Sequence, residues 1–267
     1  MKAAVLLIEG TNCEDESVRA FRKVGIQAEK VHLKQLTGDC SSERKRSLED
    51  FDMLYLPGGW SAGDYVRAGA IFAARMKSKI GKDLEKFVDS GKFVMGVCNG
   101  FQILVEAGML PGFNGISEHP EAVLTNNADG RFQCRPTYLK HENKCKLTEK
   151  VPEKKVVQIP VAHAEGRLTF GMENKKSLQK LLDNKQIVFR YCMPDGKEAK
   201  GRFPWNPNGS LYDIAGICNP QGNVLGMMPH PERVMEPFQQ ADWTRSKYNT
   251  GEGRAFFESI AREIKKK

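Results

Sequence analysis

Two segments of this 267-residue chain bring together residue types able to carry out nucleophilic catalysis. The first is Phe93-Val94-Met95-Gly96-Val97-Cys98-Asn99-Gly100-Phe101-Gln102-Ile103-Leu104, an apolar run that enters Gly-x-Cys-x-Gly and leaves as a helical pattern. A strand that turns sharply into a helix is the arrangement of a nucleophile elbow, here with sulfur where an esterase carries oxygen. Gly96 and Gly100 leave room for backbone to approach closely, and the helix behind Cys98 offers an anion-binding N–H and the positive end of its dipole. Taken by itself, Gly-x-Cys-x-Gly fits a buried structural cysteine at a glycine-rich turn equally well.

A cysteine nucleophile needs a base, and the base needs a group to orient it. Met227-Met228-Pro229-His230-Pro231-Glu232-Arg233 can supply both. Each proline restricts itself and the residue before it to extended conformations, and residues two apart on an extended chain project to one side. His230 and Glu232 are thus expected side by side, the carboxylate on one ring nitrogen and the other nitrogen toward Cys98. Alone, His-x-Glu more often marks a surface turn; with a cysteine elbow it reads as the rest of a triad. A third piece is Leu56-Pro57-Gly58-Gly59, where glycines let backbone N–H groups point into the cleft beyond a strand end. The N–H groups of Gly59 and Asn99 together could form an oxyanion hole, in which one donor is typically worth ~100–1000-fold in rate.

The elements that must hold these segments alternate strand and helix in the first half, as in a parallel α/β sheet. Strands are expected at Ala3–Ile8, Gln27–Leu33, Phe51–Leu56 and Lys92–Val97, and helices at Asp15–Val24, Lys82–Val88 and Asn99–Ala107. The second half reads as turn-rich, with strands at Lys155–Ala162, Gln186–Tyr191, Tyr212–Cys218 and Val224–Met228, a short helix at Ser177–Leu182 and a closing one at Arg254–Ile264. Met235–Gly253 is expected to be a polar, irregular surface loop. With no repeat, low-complexity segment or linker, residues 1–267 read as one α/β domain with antiparallel additions in the C-terminal half.

Composition narrows the classes. Forty per cent apolar residues describe an ordinary globular protein. No apolar run reaches 18 residues, and Glu9 interrupts the apolar start, so neither a membrane span nor a signal peptide is expected and the location reads as cytoplasmic. Seven cysteines without CxxC, and five scattered histidines, suit neither a disulfide framework nor structural zinc. The net charge of +8 is spread along the chain, and the clusters Arg44-Lys45-Arg46 and Lys265-Lys266-Lys267 lack interleaved aromatics, so no nucleic-acid partner is expected. A positive field could instead help dock an acidic partner or attract a phosphorylated metabolite.

Gly-Val-Cys-Asn-Gly-Phe-Gln around Cys98, the Pro-Gly-Gly loop and the late His-Pro-Glu together resemble the class I (triad) glutamine amidotransferases. Four further segments narrow the resemblance to the glutaminase subunits of phosphoribosylformylglycinamidine synthase: Gly10-Thr11-Asn12-Cys13, residues 57–70 with Gly-Asp-Tyr-x-Arg-Ala-Gly, Pro160-Val161-Ala162-His163-Ala164-Glu165-Gly166-Arg167, and residues 222–233. The match runs in order from residue 3 to about 260. It departs at Trp60, Ala62 and Ala164, where Phe, Tyr and Gly are expected, and residues 39–50 read as a variable loop.

The resemblance implies a flavodoxin-like fold, a mostly parallel central sheet flanked by helices. It implies Cys98 as nucleophile, His230 as general base and acid, Glu232 as its orienter, Gly59 and Asn99 as the oxyanion hole, and Gln102 as a substrate-holding residue. His163 and Arg167 would line the glutamine pocket, meet a partner or stabilise a loop, and Asp64, Tyr65 and Arg67 would lie at a subunit interface. It implies no metal or organic cofactor in this chain. ATP and Mg would be used by a partner synthetase subunit that aminates formylglycinamide ribonucleotide, joined by a small third subunit. No Gly-x-x-x-x-Gly-Lys-Ser/Thr loop is present here to bind ATP. Two other classes fit the same motifs: a glutaminase serving another synthetase, such as those making GMP, CTP, anthranilate or imidazole glycerol phosphate, and a non-catalytic α/β protein with a Cys98 of ordinary reactivity.

Overall fold

The computed structural model of the chain describes residues 1–153 and 155–266, so Lys154 and the last C-terminal lysine, Lys267, lie outside the described residues. The first half contains β1 (Lys2–Leu7), α1 (Glu14–Lys23), β2 (Gln27–His32), α2 (Leu33–Thr37), β3 (Met53–Leu56), α3 (Ala70–Asp89), β4 (Phe93–Val97) and α4 (Asn99–Glu106). Then follow β5 (Val123–Thr125), β6 (Gln133–His141), β7 (Val156–His163), β8 (Arg167–Thr169) and α5 (Asn174–Asp183). The chain closes with β9 (Ile187–Cys192), β10 (Ile214–Cys218), β11 (Val224–Met227) and α6 (Arg254–Lys265).

Nine of these strands form one sheet in the order β2-β1-β3-β4-β11-β10-β9-β6-β7, and β5 pairs with β8 apart from it. Pairing is parallel from β2 to β11 and antiparallel from β11 to β7. The parallel strands are continuous apolar runs because both faces are covered: Ala3 to Leu6, all of β3 and all of β4 are buried. The mostly parallel α/β sheet with antiparallel C-terminal additions is therefore as expected.

The aromatic core shows how the last helix locks the first. Phe21 of α1 meets Tyr55 of β3 edge-on at 5.2 Å, and Phe257 of α6 at 5.1 Å. Helix α6 turns Phe256, Phe257, Ile260, Ala261 and Ile264 inward, the three-to-four-residue spacing of an amphipathic helix.

The short strands β5 and β8 were not expected, β10 starts at Ile214 rather than Tyr212, and the elements depart from the sequence reading in further places. Helix α3 begins twelve residues before the expected Lys82: its buried stripe Phe72, Met76, Ile80, Leu84 and Phe87 runs throughout, with a kink at Ile80 (φ −129°). Strand β6 is not among the expected strands, and it contains Pro136, a residue that sheets admit mainly at edges and bulges. Pro136 is tolerated because β9 pairs only with Tyr138–His141, so there β6 has β7 as its one neighbour and loses no ladder bond to β9. Leu33, expected to end β2, instead opens α2, which Gly38 terminates in the left-handed conformation (φ 79°). The loop from Met235 to Gly253 is irregular but anchored: Val234, Met235 and Gln240 are buried, and Gly253 N donates to Val234 O at 2.9 Å.

Among the described residues no helix is long and apolar enough to cross a membrane. Phe257→Ala, which removes the ring joining α1, β3 and α6, should lower stability by about 3–5 kcal/mol, read as a fall in the urea midpoint at unchanged m-value.

Candidate active site

Three adjacent parallel strands end side by side, and their C-terminal ends carry the motifs singled out in the sequence. Strand β3 runs into Pro57-Gly58-Gly59, β4 into Cys98 and β11 into Met228-Pro229-His230. The cleft beyond the carboxyl ends of such strands is where open α/β sheets bind ligands.

Cys98 stands between β4 and α4 with φ 53° and ψ −110°, a conformation that costs a non-glycine residue energy and persists only where its surroundings impose it. The flanking glycines are required by contact. A Cβ on Gly96 would lie 2.4 Å from Gly100 O, and one on Gly100 would lie 1.8 Å from Leu56 O. Helix α4 thus presses on the ends of β3 and β4 as only glycine allows. Asn99 is the first residue of α4, so its N–H is one of the helix's unshared donors.

Gly59 has φ 148° and no space for a side chain: a Cβ would lie 2.8 Å from Asn12 N and from Asn12 Oδ1. Its neighbourhood is fixed by an isolated bridge to Thr11, whose hydrogen bonds run from Asn12 N to Gly58 O (3.4 Å) and from Trp60 N to Gly10 O (2.9 Å). Those bonds lie on either side of Gly59, so its own N–H takes no part in the bridge.

His230 and Glu232 are both buried, and His230 Nδ1 donates to Glu232 Oε1 at 2.5 Å. Tyr55 OH donates to the other carboxylate oxygen at 3.5 Å, and His230 N donates to Pro160 O at 2.8 Å. His230 Nε2 is buried without a hydrogen-bond partner, while the thiols of Cys98 and Cys13 lie against the ring. Burial opposes charge on this imidazole, but the Glu232 carboxylate and the two sulfurs outweigh it and hold the pKa well above the ordinary value. The Cys98 sulfur lies 3.5 Å from Ala162 O.

Cys98 opens onto a small cavity of about 30 Å³ lined by Gly59, Trp60, Asp64, Gln102 and residues 162–165. A larger surface groove, about 480 Å³, is lined by Arg46, Asp83 and Lys92 among others, shares no residue with this cavity, and its lining has no cysteine or histidine. Here chemistry marks the site, and size does not.

Gln102 is buried at the cavity wall, accepting from Asn99 Nδ2 (2.9 Å) and donating to Glu165 O (2.6 Å). His163 also lines the cavity, with Nδ1 on Asn127 Oδ1 (3.2 Å) and Nε2 facing Asn208 Nδ2 (3.5 Å). Burial, and then the nearby His230, push its pKa down to about 3. His163 is therefore a neutral wall. Arg167 does not line the cavity: it opens β8, with its stem beside Gly209 and its Nε buried without a partner.

Two features escaped the sequence reading. Asp64, assigned to a subunit interface, lines the cavity and accepts from Asn99 Nδ2 at 3.3 Å. Cys13 carried no chemical signal beyond its tetrapeptide, yet its sulfur accepts from Arg233 Nη2 at 3.0 Å. Donor atoms of Cys13, His230 and Glu232 lie within 4.8 Å of one another, close enough in type and spacing for a soft divalent metal. The Nδ1–carboxylate bond and the Arg233 contact already engage all three groups, an arrangement that suits an oriented imidazole better than a metal cage.

Comparison with known proteins agrees with this geometry. A sequence family described as the CobB/CobQ-like glutamine amidotransferase domain matches residues 1–262. The phosphoribosylformylglycinamidine synthase subunit PurQ of Archaeoglobus fulgidus is 50% identical over 272 residues, covering 100% of this chain and 98% of that protein. The chain belongs to the PurQ family of glutamine amidotransferases. The corresponding subunit of Picrophilus torridus is 44% identical, with 96% of each chain covered. In three dimensions this family member superposes on a chain of the PurLQS structure from Thermotoga maritima with TM-score 0.72 and 31% identity, covering 98% and 97%. The glutaminase domain of a Trypanosoma brucei CTPS, solved with acivicin, shares the fold at TM-score 0.55 and 14% identity.

The His230–Glu232 pair gives a pH prediction. A folded value above the unfolded ~6.5 means that His230 contributes stability fully present below ~6.5 and lost as pH rises through the folded value. NMR titration of the His230 ring should show a midpoint well above 6.5 in the wild type. In Glu232→Gln the midpoint should fall, because burial is then less opposed. An unchanged midpoint would remove Glu232 as the group that charges this histidine.

Proposed function

We propose that the chain hydrolyses glutamine to glutamate and ammonia as the glutaminase subunit of phosphoribosylformylglycinamidine synthase. The observation that carries this reading is the convergence of a strained cysteine elbow and a buried His230–Glu232 pair at the ends of β4 and β11. The narrower assignment is supported by the full-length match to PurQ subunits.

In this reading the Cys98 sulfur, its proton passed to His230, attacks the side-chain amide carbon, and the N–H groups of Gly59 and Asn99 receive the oxyanion. His230, oriented and kept protonated by Glu232, gives a proton to the departing nitrogen, which leaves as ammonia from a glutamyl thioester. The imidazole then takes a proton from water, hydroxide attacks the thioester carbon, and glutamate leaves as Cys98 regains its proton. Gln102 and His163 shape the wall. The cavity of about 30 Å³ has room for roughly one water, so it must widen to admit glutamine.

Ammonia released into open water would be protonated and lost, so the subunit works against a recipient. The Thermotoga maritima PurLQS assembly, which contains a similar chain, supports a synthetase partner. ATP and Mg belong to that partner, with a small third subunit joining the two, and the chemistry assigned to this chain needs no metal or organic cofactor. This reading places the chain in the cytoplasm.

In the complex assembled with the synthetase, Cys98→Ala should abolish glutamate release while leaving amidation from added ammonia intact. Gly59→Ala, whose Cβ would displace the oxyanion loop, should lower kcat about 100–1000-fold. Equal glutamate release by Cys98→Ala and wild type would sink the triad reading.

A further inference from the structure

The cavity holds two acidic side chains that the triad does not use. Asp64 and Glu165 both line it beside Cys98, and among the described residues neither is in ion-pair contact with a base. The nearby Arg67 is committed to Glu106, at 2.6 Å through Nε and again through Nη2. No lysine or arginine lines the cavity among the described residues.

Both carboxylates are held in place. Asp64 Oδ1 accepts from Asn99 Nδ2 at 3.3 Å, and Glu165 Oε2 accepts from Ala68 N at 3.1 Å. Asn99 also bonds Gln102, and Gln102 bonds Glu165 O, so one chain of hydrogen bonds ties the two acidic residues together across the cavity. Asp64 stands at φ 52°, among Ala62 (52°), Gly63 (68°) and Val66 (74°). Non-glycine residues held in the left-handed region carry a conformational cost that persists only where their surroundings impose it. Burial, and then the Glu165 charge, push the Asp64 carboxyl up to about 6, as expected of a partly buried carboxyl beside a like charge.

Two half-buried carboxylates on one side of a nucleophile are a site for a cation on the substrate. Glutamine presents one: its α-ammonium lies a few bonds beyond the amide carbon that Cys98 would attack. We propose that Asp64 and Glu165 together bind the α-ammonium of glutamine, and so make the site select an amino-acid amide over a plain carboxamide. The proposal rests on the glutaminase reading. It makes Asp64 a substrate-contacting residue and gives the fixed Asn99–Gln102–Glu165 chain a purpose: holding the ammonium site at a set distance from the sulfur.

The test compares glutamine with 4-carbamoylbutanoate, which is glutamine with hydrogen in place of the ammonium group. Steady-state hydrolysis of each is measured in the assembled complex for wild type, Asp64→Asn and Glu165→Gln. The wild type should prefer glutamine, and each variant should lower kcat/KM for glutamine roughly 10- to 100-fold, mainly through KM, with little change for 4-carbamoylbutanoate. The ratio of the two substrates is unaffected by any loss of folded enzyme, because that loss cancels. Asp64→Glu should restore part of the preference. A ratio in both variants equal to that of the wild type would overturn the ammonium site and leave the glutaminase reading standing. A wild type that hydrolyses neither amide would overturn both.

Discussion

Cys98 is held in a conformation that its own chemistry disfavours, and much of the surrounding architecture exists to hold it there. With φ 53° it reverses the chain between β4 and α4 within one residue. That reversal is possible only because α4 sits almost on the sheet, with Gly100 against Leu56 O and Gly96 against Gly100 O. The strain is offset by burial of β3, β4 and α4 around the turn and by the backbone bond from Cys98 N to Met227 O at 2.8 Å. A rigid sulfur position follows. So does a fixed place for the first N–H of α4.

Electrostatics around that fixed point divide the site into three regions. Behind the sulfur, the buried His230–Glu232 pair favours a charged imidazole, and Tyr55 and Arg233 complete the surrounding hydrogen bonds. Along the wall, His163 is kept neutral by burial and by the nearby His230, so it adds no second positive charge close to the first. In front, Asp64 and Glu165 give the open side a negative character despite the overall charge of +8. Desolvation magnifies each of these choices, because charges buried in protein interact more strongly than charges in water.

The antiparallel half of the sheet contributes by position. Strand β7 ends at Ala162 and His163, and its Pro160 carbonyl accepts from His230 N. The cavity wall and the base are therefore joined across the sheet, although β7 and β11 are not neighbours in it. The anchored segment after His230 closes this region from behind, where Gly253 packs against the Pro231 carbonyl with no space for a Cβ.

What the sequence alone determined was whatever depends on neighbours along the chain. Apolar runs made β1, β3 and β4 readable, Gly-x-Cys-x-Gly announced the elbow, and Pro-His-Pro-Glu set His230 beside Glu232, because φ restriction and strand alternation act within a few residues. Helix α3 was only half legible and β6 not at all: a stripe interrupted by lysines, and a strand containing Pro136, become plausible only once the neighbours that cover them are known. The roles of Asp64 and Cys13 belong wholly to the tertiary structure. Asp64 reaches the cavity because Asn99, some 35 residues on, bonds it there, and Cys13 meets Arg233 across 220 residues. Contacts of that span are set by which strands lie adjacent in the sheet, and local conformational preference carries no record of it.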